Sequence, residues 1–503
     1  MRMKKICLCV LVLTGCATVP PPPAGGADDT RVLNRLSWGL DGADMQVVRA
    51  QGLAAWIDAQ LHPAPARLPA AVQAQIEAMA ISQHALEDLN RDLEQRRQDA
   101  DKAASDDERK AARQAYQDQL NHLAREAAIR SLLRDLYSPN QVQEQMTWFW
   151  MNHFNVHQYK HNLRLMLGDY EDRAIRPRAL GKFRDLLAAT VYHPAMLRYL
   201  DNEQNAAGHI NENYARELME LHTLGVNGGY SQRDVQELAR ILTGVGVNLG
   251  ATEPKVRRER QGLYRHQGLF EFNPERHDFG DKLLLGQPVR GRGLAEVDEA
   301  LDRLARHPST ARFISGKLAT FWVGDAPPPA LVQRMAATFT ATDGDIAAVL
   351  RILFNSPEFR ASLGRQFKDP VHYVVSSVRL AYGDKTILNA APMLNWLNRM
   401  GQPLYGKQTP DGYPLTAAAW NSPGQLNVRF EIARAIGTGN AGLFKTDGPQ
   451  PQERPAFPQL ANALYYQAIE AHLAAGTRRA LEQATSPQEW NSFLLSAPDM
   501  MYR

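Results

Sequence analysis

The densest group of side chains able to move a proton lies between Asp201 and His222. It opens on Asp201-Asn202-Glu203 and continues as Asn211-Glu212-Asn213-Tyr214-Ala215-Arg216-Glu217-Leu218-Met219-Glu220-Leu221-His222. Read as one α-helix, the second stretch puts Glu212, Asn213, Arg216, Glu217 and Glu220 on one half of the wheel and Tyr214, Leu218, Met219, Leu221 and His222 on the other. Carboxylates that share a face push each other's pKa apart, so that one serves as acid and the other as base. On that reading Glu217 or Glu220 is the general acid or base, while Arg216, Asn213, Asp201 and Asn202 orient a substrate. The same spacing also builds an i,i+4 ladder, Glu212 to Arg216 to Glu220, which does no more than support an exposed helix. His222, on the apolar half, reads first as a core histidine and second as a ligand or proton carrier.

Other histidines widen the choice. His153, His157 and His161 recur every four residues, which on a continuous helix would align three imidazoles for a metal. Asn155-Val156 weakens such a helix, so no metal is assigned. His277-Asp278 is similar to the His-Asp pair of metal phosphohydrolases, but without the further ligands it reads as a histidine oriented in a Gly280 turn. His153 and His277 are kept as assistants to proton transfer at the carboxylates. Tyr413 and Trp420, in the segment Thr409-Pro410-Asp411-Gly412-Tyr413-Pro414 to Trp420-Asn421-Ser422-Pro423, offer rings and amides for a glycan or peptide polymer, or else pack inward. There is no Gly-x-Ser-x-Gly, no His-Glu-x-x-His and no phosphate-cradling Gly-rich loop with Lys-Ser or Lys-Thr, so no cofactor is expected.

The elements that must position these groups read as helices. The chain has 503 residues, 44% hydrophobic and 22% charged, as in ordinary globular proteins. Val47-Val48-Leu53-Trp56-Ile57-Leu61 and many later segments recur near the helical period, and the fold class expected is all-α. Residues 84–136 read as a long amphipathic helical pair, a protruding arm with a break near Ser105-Asp106-Asp107. Two large Pro/Gly-rich loops follow, 249–293 with Phe270-Glu271-Phe272 as its one expected strand, and 402–424. One domain is expected over residues 30–503: the arm, a polar-motif core (137–290), a helical stretch (291–365) and C-terminal helices with their loop (366–503).

The start of the chain has its own pattern. Arg2, Lys4 and Lys5 precede the apolar run Ile6 to Leu13, and Leu13-Thr14-Gly15-Cys16 closes it. This resembles a bacterial lipoprotein signal over residues 1–15, followed by a Pro/Gly-rich tether (16–29). Lipid on Cys16 would anchor the protein to a membrane, and Ala17 after it favours the outer membrane, facing the periplasm or cell surface. Cleavage removes three basic residues and no acidic one, taking the net charge from +3 to zero. A neutral chain without a basic tract is a poor nucleic-acid binder. The cysteines are Cys7, Cys9 and Cys16, so neither disulfide nor thiol chemistry is expected in the processed chain.

Motifs spread along the chain resemble the bacterial domain-of-unknown-function 1800 family. They include Leu33-Asn34-Arg35-Leu36-Ser37-Trp38-Gly39, Trp150-Met151-Asn152-His153-Phe154, His193-Pro194-Ala195-Met196-Leu197, the polar segment above, His277-Asp278-Phe279-Gly280 and His307-Pro308-Ser309-Thr310. The resemblance implies a helical, exported protein, no established reaction, and a secreted sulfatase-like protein as partner. Two functions are therefore carried forward: a carboxylate-based hydrolase acting on an envelope or extracellular polymer, and a non-enzymatic periplasmic binding or assembly protein.

Overall fold

The computed structural model describes residues 27–250, 252–445 and 457–503, so Cys16, the signal and most of the tether lie outside the described residues. The protein is all-α, its helices packed around one extended apolar core. Its sequence punctuation explains where helices begin. Pro194, Pro308, Pro370 and Pro423 each stand at a first helical position, where a missing N–H costs nothing. The residue before each is the cap: His193 Nδ1 accepts from the Ala195 amide at 3.1 Å, His307 Nδ1 from Ser309 at 3.1 Å, and Asp369 from His372 at 2.8 Å. Both His-Pro motifs are thus helix starts.

The core is built on Trp38, Trp56, Trp150 and Trp322. Arg35 is fully buried because its guanidinium donates to the carbonyls of Trp322 (2.5 Å) and Ser362 (2.7 Å), tying the first helix to the far side of the domain. Gly39 has φ +123°, and a Cβ there would lie 2.5 Å from Ser376 Cβ, so the turn after Trp38 admits no side chain.

The helical pair forms as Leu86–Asp101 and Asp106–Tyr137. The break falls at Ser105, whose hydroxyl accepts from the Glu108 amide while the Glu108 carboxylate takes the Ser105 amide, a reciprocal cap with acidic residues on the positive end of the helix. The protrusion is shorter than the charge pattern suggests. Leu120, Leu123, Ala127, Leu132 and Leu136 are buried in the main core, and most of residues 101–119 faces solvent.

The segment expected to be a loop with one strand holds more. β1 (Val245–Val247) and β2 (Arg265–Gln267) flank β3 (Phe270–Phe272) in an antiparallel sheet, with Val245 and Arg265 both opposite Phe272. β4 (Lys282–Leu284) and β5 (Gln287–Val289) form a separate hairpin. Three-residue strands in charged, glycine-rich sequence carry no alternation long enough to read. Among the described residues, no helix is long and apolar enough to cross a membrane.

Candidate functional site

The helix Gln141–His153 ends inside the protein, and the residues at its end point two ways. Asn152 faces the 402–424 loop: its Oδ1 accepts from the Tyr413 amide at 2.6 Å and its Nδ2 donates to the Tyr413 carbonyl at 2.9 Å. Asn155 donates to the carbonyls of Lys407 (3.0 Å) and Thr409 (2.9 Å), and the Tyr199 hydroxyl to Gln408 (2.7 Å). Gly412 is required between them, because with φ +76° its Cβ would sit 2.1 Å from the Asn152 carbonyl oxygen. The loop is therefore fixed to the helix, and Asp411 is carried at a set position.

His153 faces the polar helix, which is not the continuous α-helix of the wheel. An α-turn, Asn213–Glu217, passes into a π-helical turn, Leu218–Thr223, marked by the Leu224 amide donating to Met219 at 2.8 Å and the Thr223 hydroxyl to Leu218 at 2.7 Å. The wider turn breaks the ladder. Arg216 pairs with Glu212 at 2.9 Å and with Gln232 at 2.9 Å, while Glu220 turns towards the Tyr230 hydroxyl. Such turns are frequent at functional sites; two others here, Tyr170–Ile175 and Tyr465–Ile469, lie outside this group.

At the end of this turn the His222 carbonyl accepts a hydrogen bond from His153 Nε2 at 3.1 Å. That bond places the proton on Nε2 and leaves Nδ1 as a buried acceptor with no hydrogen-bond partner among the described residues; the same holds for His222 Nε2. The two rings lie 6.0 Å apart, with Phe154 4.6 Å from His153 and Phe313 6.3 Å from it. Burial holds both imidazoles neutral, His153 well below the ordinary histidine range and His222 at about 3, and the charge of Lys317 pushes in the same direction.

Lys317 is the charged group over this pair. It follows Phe313 by one turn of the helix Pro308–Val323, with Nζ 5.6 Å from that ring's centroid. Burial lowers its pKa to about 8, opposed by Asp411 from the docked loop. Glu217 completes the group: half-buried, its carboxyl is pushed up by burial and then by Glu220 and Asp411, against Arg216. Four separate segments thus converge on a raised carboxyl, a second carboxylate, a lysine of lowered pKa and two neutral imidazoles. A carboxyl of raised pKa within electrostatic reach of other carboxylates is an arrangement that acid–base chemistry uses.

The structure disperses other expected members. Asp201, left-handed at φ +59°, pairs with Lys160 at 2.7 Å. Asn202 donates to Leu242 (3.1 Å) and Val245 (2.7 Å), and Asn213 to Leu200 (3.1 Å), so these side chains close backbone turns. Tyr413 donates to Pro403 at 2.8 Å, and Trp420 is 5% exposed with its indole N–H on Pro414 at 3.0 Å, so the rings pack inward. The helix ends at His153, and His161, at φ +50°, lies 3.7 Å from Asp201, so the four-residue histidine spacing aligns nothing. Among the described residues no three or more His, Cys, Asp or Glu side chains gather as a metal site.

His277 lies in a cluster of its own. Its Nδ1 is 2.8 Å from the Thr243 carbonyl and its Nε2 3.0 Å from Glu296, which also takes Lys282 and the Arg292 and Gly293 amides. Asp278 turns away to Arg240 at 2.8 Å.

Residues 31–502 match the family described as a protein of unknown function, DUF1800. The chain belongs to the DUF1800 family. No curated protein and no solved structure matches it. In this DUF1800 chain, sequence reading missed Lys317 and Asp411. Asp411 reads as a turn former beside Gly412. The available signal for Lys317 was a lone cation among Phe313, Ile314 and Leu318, a place where charge has to be offset by something.

Proposed function

We propose that this protein is a lipid-anchored envelope protein that hydrolyses an envelope or extracellular polymer, glycan being the class that suits paired carboxylates. The observation that carries the reading is Glu217: its carboxyl is held protonated beyond the ordinary range by burial, beside Glu220 and Asp411. Glu217 gives its proton to the leaving oxygen, and Asp411 accepts one from the attacking water. Lys317 offsets the negative charge that Asp411 and the substrate bring. His153 and His222, held neutral by burial, do not shuttle protons at neutral pH. Anchoring rests on the Leu13-Thr14-Gly15-Cys16 ending, and Cys16→Ser is expected to release the protein from the membrane fraction.

The test is release of reducing ends from purified peptidoglycan and envelope polysaccharides by wild type, Glu217→Gln and Glu220→Gln. Wild type is expected to release them and Glu217→Gln to lose at least about a hundredfold, the usual contribution of one acid–base group. Glu220→Gln should retain more. If the folded wild type releases nothing from any of these polymers, the hydrolase reading fails and a binding or assembly role replaces it.

A further inference from the structure

Away from the Glu217 cluster, the first helix (Ala27–Leu36) and the turn after it, the helix Pro370–Tyr382 and the C-terminal turns line a half-open cavity of about 280 Å³. Its lining is mixed: Leu40, Leu380, Ile469 and Leu473 give it an apolar part, and Lys368 and Ser376 are among its polar residues. Lys368 is 4% exposed. Among the described residues its ammonium has one hydrogen bond, to Ser376 Oγ at 3.0 Å, although it carries three donors.

The charges around it make this arrangement costly. Arg429 and Arg503 lie behind Lys368 and repel it, and with burial they lower its pKa to about 7. The adjacent carboxylate, Asp369, is committed to the His372 amide and ring, each at 2.8 Å. Asp499, on the wall, holds the Ala474 amide at 3.0 Å and the Thr477 hydroxyl. A cation buried without an opposite charge stabilises a fold less than an apolar side chain of similar size. A ligand carboxylate on Lys368 would supply the missing charge, and the apolar part of the lining would receive whatever is attached to it.

We propose that this cavity binds a small carboxylate with an apolar tail, its head on Lys368 and Ser376 and its tail against Leu40, Leu380, Ile469 and Leu473. Affinity then rises as pH falls through neutrality, because the anion selects the charged form of Lys368. The other charged groups around the site are Arg31, Arg429, Arg503, Asp369 and Asp499. Arg429 and Arg503, each lowered to about 10 chiefly by burial, stay charged over pH 6.5 to 9; Asp369, against burial, is held below the ordinary carboxylate range by His372, and His372, at about 4, stays neutral. His472 also lines the cavity and is controlled by a His472→Gln variant.

Isothermal titration of the folded protein with sodium hexanoate, with hexanol and acetate as comparisons, tests the site. Hexanoate is expected to bind saturably and at least about tenfold more tightly than hexanol or acetate, since a charged hydrogen bond and a buried tail each contribute that much. Affinity should fall between pH 6.5 and 9 in wild type and in His472→Gln alike. Lys368→Met should lose hexanoate and keep hexanol, and Leu380→Trp, which fills the cavity while leaving Lys368 in place, should lose both. Absence of saturable hexanoate binding to wild type, equal binding of hexanol, or unchanged binding by folded Leu380→Trp would each overturn the proposal.

Discussion

Two buried histidine clusters in this protein are built on opposite terms. Around His277 every group is answered: both ring nitrogens have partners, and Glu296 takes His277, Lys282 and two backbone amides, all at 0% side-chain exposure for the three ionisable groups. Burial alone would raise the Glu296 carboxyl, but the hydrogen bonds from His277 and Lys282 outweigh it and hold it below its ordinary value. Around His153 several groups are left partly unanswered, although Asp411, at the exposed edge, pairs with Lys407 at 3.6 Å and accepts from the Thr409 hydroxyl. One nitrogen of His153 and one of His222 have no hydrogen-bond partner among the described residues, Lys317 has a lowered pKa and Glu217 a raised one. The first cluster joins the Gly280 turn and the β4 strand to the helix Leu294–Arg306; the second holds charges in states that folding does not favour. Groups kept against the preference of the fold are those expected at a working site.

Substitutions can break this contrast at either end. Glu296→Ala leaves Lys282 and His277 buried without their partner and should cost about 3–5 kcal/mol in urea unfolding; a cost under about 1 kcal/mol would make the two clusters equivalent. Asn152→Ala removes both bonds to Tyr413 and should cost about 2 kcal/mol, with limited proteolysis appearing between Lys407 and Tyr413 and polymer hydrolysis lost as Asp411 is freed.

A smaller effect sharpens the contrast. Glu217 has a folded-state pKa above its unfolded value, so its contribution to stability is complete at low pH and is lost as pH rises through the folded value. Glu217→Gln should therefore match wild type at acid pH and equal or exceed it by up to about 1 kcal/mol at neutral pH, read from unfolding curves at several pH values. At the bottom of the scale, Arg216→Ala should cost about 0.5 kcal/mol or less, since the pair with Glu212 is exposed.

Much of the scaffold was legible in the sequence, and the reasons are local. Ser105 and Glu108 write a helix start into four residues, and Pro after a capping residue writes four more. Glu217 stood out because polar groups were dense around it, and His153 because histidines recur every four residues from it in a Trp- and Phe-rich segment. What the sequence hid was set by long-range packing. The π-turn at Leu218–Thr223 has no residue signature, so Glu220 was placed in a ladder that the wider turn does not make. Asp411 and Lys317 are separated by 94 positions in the chain, and Asp411 comes within electrostatic reach of Lys317 on a loop that Asn152 and Gly412 fix. Leu120 to Leu136 carry charged neighbours but lie on the face that the core covers, which shortened the expected arm.

If the His153 cluster is held against the preference of the fold, Lys317 carries the clearest sign of it. Its folded pKa, about 8, lies below the ordinary value of 10.5. The cost of keeping it charged is therefore complete below about pH 8 and is relieved as pH rises towards 10.5. Unfolding free energies of wild type and Lys317→Met, measured from pH 6 to 10.5, should show the variant more stable by about 1–2 kcal/mol at neutral pH, after allowance for solvent at the exposed part of the side chain. The advantage should shrink to nothing at the alkaline end. A Lys317→Met variant that loses stability at neutral pH, as Glu296→Ala is expected to, would contradict the account.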